Sequence, residues 1–383
     1  MKTIKLYDSD AYIKEFRANV LSCEKFKSGY RTVLDKTAFF PESGGQYGDR
    51  GFIDDIKITD TQTENGIIYH YSGEPVEIKT DITARIDFDR RFSFMQNHSG
   101  EHIVSGLFQS EFGYENIGFH LSEDYVTINI NFSLNYEKIK YIETLANNAV
   151  YKNLNVKVFF PTKDEAEHIN YRSKKDITSD LRLVEIQGID ICACCAPHIK
   201  KTGEIGIIKL LDFEKIKGGT RIYMKCGNFA LEDYRKKYFE IKNISDLLSA
   251  KSDSADKAVL QFVKKTNELQ AEYKELKKKY ILLKTDQTAE RCCFLEDFDM
   301  TDLQIAADSA YKKTGNGVWF FSGKDNSFSF SVCENEDKLN RDFKAFSEHL
   351  NVKGGGRNGI RQGTVKESKE KIKNYIGRYY GLD

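Results

Sequence analysis

The chain has 383 residues, 40% of them hydrophobic and 30% charged, with 58 basic and 58 acidic side chains that cancel to a formal net charge of zero. These values place it among soluble globular proteins of two to three domains and exclude a largely disordered chain. There is no run of about 18 apolar residues, which excludes a membrane-spanning helix, and the neutral total leaves nucleic-acid binding to local basic surfaces only.

In chain order, the opening MKTIKLYDSDAYIKEF alternates apolar and polar residues. It predicts a first strand rather than a signal peptide. Residues 1–87 are β-rich, with short alternating runs at 51–53, 66–69 and 82–86 divided by Gly, Asn and Asp turns. That spacing predicts a small N-terminal β-barrel or sandwich. A helix is expected over 90–112, strands at 125–132, and a second helix over 136–152, so residues 88–228 read as an α+β domain. Residues 229–290 form a helical arm: 231–248 is helical, and Ser252-Asp253-Ser254 offers a break with capping chemistry. Beyond it Val259, Thr266, Tyr273 and Tyr280 share one heptad position, and Phe262, Leu269, Leu276 and Leu283 the other. This is the pattern of a long amphipathic helix, a helical hairpin, or a coiled-coil contact with a second copy. Residues 291–383 predict a C-terminal α/β domain, with strands at 317–321 and 327–332, helices at 338–350 and 366–376, and a Gly-rich loop between those helices.

Eight cysteines fall in tight groups rather than at the spacings of a disulfide framework. With no secretion signal, metal binding in a reducing cytoplasm is the expectation. His98-Ser99-Gly100-Glu101-His102 lies in the first strong helix pattern, and residues four apart share a helix face, so both imidazoles can reach one ion. In Cys192-Ala193-Cys194-Cys195-Ala196-Pro197-His198, Cys194 and His198 are also four apart. Three imidazoles and one thiolate suit tetrahedral Zn2+, with Cys192 and Cys195 as competitors for the sulfur position. His98 to His102 also fits the H-x-x-E-H pattern of inverted zinc peptidases with Glu101 as base, a reading that leaves Cys194 and His198 unexplained. Upstream, TAFFPESGGQYGDRG (37–51) is a strand entering a tight glycine turn that presents Gln46.

Together TAFFPESGGQYGDRG, NHSGEH, CCAPHIKKTGEIG, KGGTRIYMKCG and the Gly-rich KGGGRNGIRQG resemble, in order, the editing and C-terminal domains of alanyl-tRNA synthetase and the long free-standing AlaX-type proteins. The resemblance implies zinc held by His98, His102, Cys194 and His198, and a pocket for the mischarged amino acid lined by Thr37 and Gln46. Thr37 is the candidate reader of a serine hydroxyl, and Glu101 a candidate base or partner of a ligand imidazole. It also implies a trans-editing hydrolase acting on Ser-tRNA or Gly-tRNA of the alanine acceptor. The 3′ end would enter a cleft between the N-terminal and zinc-containing domains. The glycine turn begins within the first fifty residues, so the expected protein corrects but does not charge. The one departure is Ala196-Pro197, where the family has Gly-Thr before the last histidine. Lys353, Gly354, Gly355, Gly356, Arg357 and Arg361 lie in an acid-free stretch suited to phosphate contact with tRNA. A non-catalytic, zinc-containing tRNA-binding module is the rival expectation.

Overall fold

The computed structural model describes residues 3–123, 125–173, 181–286 and 290–381. It divides into two compact units, residues 1–241 and 242–383. Unit 1 begins with β1 (Ile4–Lys5), the helical turn α1 (Leu6–Ser9), β2 (Glu15–Ala18), β3 (Val20–Phe26), β4 (Gly29–Leu34), β5 (Lys36–Thr37), β6 (Gly51–Ile53), β7 (Ile56–Glu64), β8 (Ile67–Ser72) and β9 (Ile82–Ile86). The long opening strand expected from alternation is interrupted, because Leu6 to Ser9 turn helically and bury Tyr7. Seven strands form an antiparallel sheet in the order β2-β9-β6-β7-β8-β4-β3, and β1 pairs in parallel with β5. The outer strands β2 and β3 do not pair with each other among the described residues, so the sheet is open and the expected barrel does not close. Alternation reports which face of a strand is buried, and closure depends on curvature it does not encode. Phe16, Leu34, Phe39, Ile53, Ile58 and Ile82 fill the buried face.

The chain then enters α2 (Phe88–Phe112), capped by the Asp87 carboxylate accepting from Arg90 N–H and closed by Gly113 in the left-handed conformation. Sixteen of its residues are buried, from Arg91 to Phe108, so α2 runs through the interior rather than along the surface. Around it lie β10 (Asn116–Leu121), β11 (Val126–Ile130), α3 (Tyr136–Tyr151), β12 (Val156–Phe159), α4 (Lys163–Glu167), β13 (Leu183–Ile186), β14 (Asp190–Ala193), β15 (Ile208–Ile216) and β16 (Gly219–Cys226). The sheets β10-β11-β16-β15 and β12-β13-β14 are both antiparallel. Phe94, Val104 and Phe108 of α2 pack with Ile128, Ile142 and Met224 in the largest core. Gly106 admits β14: a methyl there would sit 2.8 Å from Asp190 Cβ.

The helix α5 (Gly227–Leu247) spans the boundary between the units. Unit 2 contains α6 (Ala255–Asp286), β17 (Cys292–Leu295), α7 (Met300–Thr314), β18 (Trp319–Lys324), β19 (Ser327–Cys333), α8 (Glu336–His349), β20 (Val352–Gly355), β21 (Ile360–Val365) and α9 (Lys369–Tyr380). Its sheet runs β17-β18-β19-β21-β20 around Trp319, Phe321, Phe330 and Phe346. The heptad residues all fall on α6, and Phe262, Leu269, Tyr273, Leu276 and Leu283 are exposed there. The Gly-rich stretch is the β20–β21 hairpin. No described helix is long and apolar enough to cross a membrane.

Candidate metal centre

The glycine turn of the N-terminal sheet docks on the rest of unit 1. Gly44 and Gly45 take φ of 61° and 83°, a region costly for other residues, and the Gly45 carbonyl accepts from Leu121 N–H at 3.0 Å. The turn thereby presents Gln46 to α2. Beside it Asp49 and Arg91, 1% and 0% exposed, form a buried ion pair. Arg91 Nε donates to both carboxylate oxygens at 2.9 Å, and its Nη2 to the Ala38 carbonyl at 2.7 Å. Asp49 also accepts from Phe40 N–H at 2.6 Å. This pair ties the segment before the turn, at Ala38 and Phe40, to the first turn of α2.

One helical turn apart on α2, His98 and His102 are each 2% exposed, with ring centroids 5.4 Å apart. The loop after β14 brings in Cys194 and His198, whose ring lies 4.8 Å from that of His98 and 4.6 Å from that of His102. Cys194 Sγ is 3.5 Å from His98 Nε2 and 3.3 Å from His198 Nε2. One donor atom from each of the four residues lies within 4.8 Å of every other. Tetrahedral zinc with bonds of about 2.0–2.1 Å to nitrogen and about 2.3 Å to sulfur places those atoms about 3.5 Å apart, so the donor set fits the ion. Burial, then the neighbouring His102 and His98, hold His198 well below the usual histidine range, and burial pushes the Cys194 thiol up. Neutral imidazoles are what a metal needs, and a cation is what turns a buried thiol into a thiolate.

Each imidazole faces a polar group on its other nitrogen, by a hydrogen bond for His98 and His198 and by a charge contact for His102. Gln46 Oε1 lies 2.9 Å from His98 Nδ1, Ser99 Oγ 2.9 Å from His198 Nδ1, and Asp190 Oδ2 3.2 Å from His102 Nδ1. Such contacts select Nε2 as the ligand atom and fix ring orientation. Cys195 is exposed, its Sγ 3.3 Å from Ser43 Oγ, and it does not join the cluster. Cys192 groups instead with His102 and Asp190.

The other expected residues divide. Glu101 is buried, and its Oε1 accepts from Ser105 Oγ at 2.8 Å and Asn116 Nδ2 at 2.6 Å, while Oε2 is 3.9 Å from His102 Nε2. Thr37 is fully buried, its hydroxyl 2.9 Å from His70 Nε2 and accepting from Phe39 N–H. In unit 2, Lys353, Gly354, Gly355, Gly356 and Arg357 are exposed. Arg361 is not: it is 6% exposed, and its guanidinium binds Glu336 at 2.6 Å, so its charge is neutralised within the unit.

Four contributors escaped the sequence reading. Ser99 lay inside a motif already singled out, whereas Asp190, Arg172 and Arg182 are far from any motif residue they serve. Arg182 Nη1 donates to the carbonyls of Cys194 at 2.6 Å and Ala196 at 2.9 Å, gripping the metal loop. Ala196 packs in an apolar cluster with Tyr7, Phe40 and Ile68, which accounts for an apolar residue in place of the family's glycine. Beside the loop a cleft of 940 Å³ is lined by Tyr7, Phe40, Ser43, Phe160, Arg182 and Cys195 among others.

Burial depresses the His70 pKa from 6.5 to about 4. Below about pH 6.5 the unfolded chain takes up a proton that the folded chain refuses until about pH 4. Stability from this site is therefore complete above pH 6.5 and lost as pH falls through 4, about 3 kcal/mol in all. Urea titrations across that range are expected to show the decline, and His70→Gln to flatten it; an equally steep decline in the variant would contradict this.

Two family descriptions match the chain: "tRNA synthetases class II (A)" over residues 4–90 and "Threonyl and Alanyl tRNA synthetase second additional domain" over residues 181–223. The alanyl-tRNA editing protein AlaX-L of Pyrococcus horikoshii is 28% identical, across 96% of this chain and 96% of that protein. The alanine–tRNA ligase of Pyrococcus furiosus is 30% identical across 99% of this chain, which spans only 43% of the ligase. The alanyl-tRNA editing protein Aarsd1-A of Xenopus laevis is 28% identical over 68% of each chain.

Proposed function

We propose, for a chain related along nearly its whole length to the AlaX-type alanyl-tRNA editing proteins, that it is a zinc-dependent hydrolase removing serine or glycine from mischarged alanine-specific tRNA in trans. The observation that carries this reading is the buried cluster of His98, His102, Cys194 and His198 beside the Gln46 turn. Editing rather than charging is assigned because the relative matched over 96% of its own length is named as an editing protein.

The cleft beside the metal loop is where we place the aminoacylated 3′ end; its volume suits a terminal nucleoside and its acyl group. When bound, zinc would anchor the substrate end, or, with its coordination expanded or one ligand displaced, activate a water or polarise the ester carbonyl. The chain's own residues would do the rest. Gln46 and Ser99 orient the ligand rings, Arg182 holds the loop backbone, and Thr37 is assigned to discrimination by its hydroxyl, which a substrate hydroxyl would have to engage in place of His70 Nε2. A pocket that hydrogen-bonds a substrate hydroxyl discriminates far more strongly than an apolar one. The exposed segment Lys353–Arg357 is assigned to tRNA phosphates, with Arg361 supporting the hairpin. The peptidase reading is not favoured, since Glu101 already accepts two hydrogen bonds and Cys194 would have no role.

The test follows ester loss from Ser-tRNA, Gly-tRNA and Ala-tRNA of the alanine acceptor. Rapid loss of the seryl or glycyl ester with alanine spared is expected. Persistence of all three with a folded, zinc-loaded protein would identify the binding module instead.

A further inference from the structure

We propose that Asp190, braced by Arg172, is a positioning residue that presents His102 to the metal, an inference that rests on reading the four-residue cluster as a metal centre. Asp190 opens β14, two strand residues before Cys192 and four before Cys194, and its side chain is 2% exposed. Its Oδ1 accepts from Arg172 Nε and its Oδ2 from Arg172 Nη2, each at 2.7 Å. The same Oδ2 lies 3.2 Å from His102 Nδ1, a charge contact not aligned as a hydrogen bond. A carboxylate held from one side by a guanidinium fork and facing an imidazole on the other can only accept. It therefore selects the His102 tautomer with the proton on Nδ1 and leaves Nε2 as the ligand nitrogen.

Two further features belong to this arrangement. Arg172 is tied to the strand that carries the site: its N–H donates to the Ile191 carbonyl and its own carbonyl accepts from Ala193 N–H, both at 2.8 Å. Gly106, one helical turn after His102, supplies the space that Asp190 fills, since a methyl there would meet its Cβ at 2.8 Å. The bidentate Arg172 contact also argues against the alternative of a second ion held by His102, Asp190 and Cys192, because both carboxylate oxygens already face a positive group.

The measurement is zinc affinity by competition with a chromophoric chelator, together with the visible spectrum of the cobalt-substituted protein. Asp190→Ala is expected to weaken zinc binding about 10- to 100-fold and to alter the cobalt spectrum, with Arg172→Met acting in the same direction. Asp190→Asn, which keeps an acceptor oxygen for Nδ1–H, should recover part of the loss. Ile142→Val, a change in the same core, should leave affinity and spectrum unmoved. Unaltered affinity in Asp190→Ala would overturn the proposal. If Asp190→Ala does not fold, Asp190→Asn and Arg172→Met decide: weakening in both supports it, and full affinity in both overturns it. If the unaltered chain binds zinc no better than a Cys194→Ala/His198→Ala variant, the metal reading itself fails and takes this proposal with it.

Discussion

Replacing Arg91 with methionine is expected to cost about 3–5 kcal/mol of unfolding free energy, because it strands the Asp49 carboxylate in the interior. The pair is sealed from solvent, and without Arg91 the hydrogen bond left to the Asp49 carboxylate among the described residues is that from Phe40 N–H. Arg91 also supplies donors to the Ala38 and Ala11 carbonyls, so the substitution unsatisfies two backbone carbonyls that precede the glycine turn. Removing both partners, Arg91→Met with Asp49→Leu, should cost less than the sum of the single changes, since the penalty of each comes largely from the abandoned charge. Urea unfolding followed by circular dichroism measures both effects. A loss below about 1 kcal/mol for Arg91→Met is the size expected of a surface pair and would contradict the assignment.

The second large effect is on the metal. Cys194→Ala removes the sole sulfur from the cluster and leaves three neutral imidazoles around a smaller charge sink. Bound zinc should fall from one per chain to a small fraction, and ester hydrolysis should fall with it. Cys195→Ala and Cys192→Ala should keep their metal, because neither sulfur belongs to the four-residue group. Zinc uptake must also displace the thiol proton that burial otherwise retains, so affinity is expected to weaken as pH falls. Equal zinc content in Cys194→Ala and the unaltered chain would assign the sulfur position elsewhere.

What the sequence made legible follows from how local each signal is. The α2 helix was readable because its apolar spacing lies within one segment, and His98 and His102 came with it. Cys194 and His198 were readable as a pair by their spacing, and as partners of the α2 histidines because three imidazoles and one thiolate make a tetrahedral zinc set; the resemblance then implied the same four residues. The open N-terminal sheet was not readable, since alternation fixes faces and leaves curvature free. Arg361 looked available because no acid lies near it in sequence, yet Glu336 reaches it across twenty-five positions. Asp190, Arg172 and Arg182 carried no sequence signal, because each acts through a residue brought close only by the β12-β13-β14 sheet. Thr37 is the reverse case: the motif marks it, and the structure turns its hydroxyl toward His70.

Everything proposed for this chain depends on one ion bound by three nitrogens and one sulfur. X-ray absorption at the zinc edge of the purified protein tests that most directly. The account predicts one sulfur at about 2.3 Å and nitrogen or oxygen neighbours at about 2.0–2.1 Å, with the sulfur contribution absent in any metal retained by Cys194→Ala. Two or more sulfurs, or a sulfur signal surviving that substitution, would contradict it.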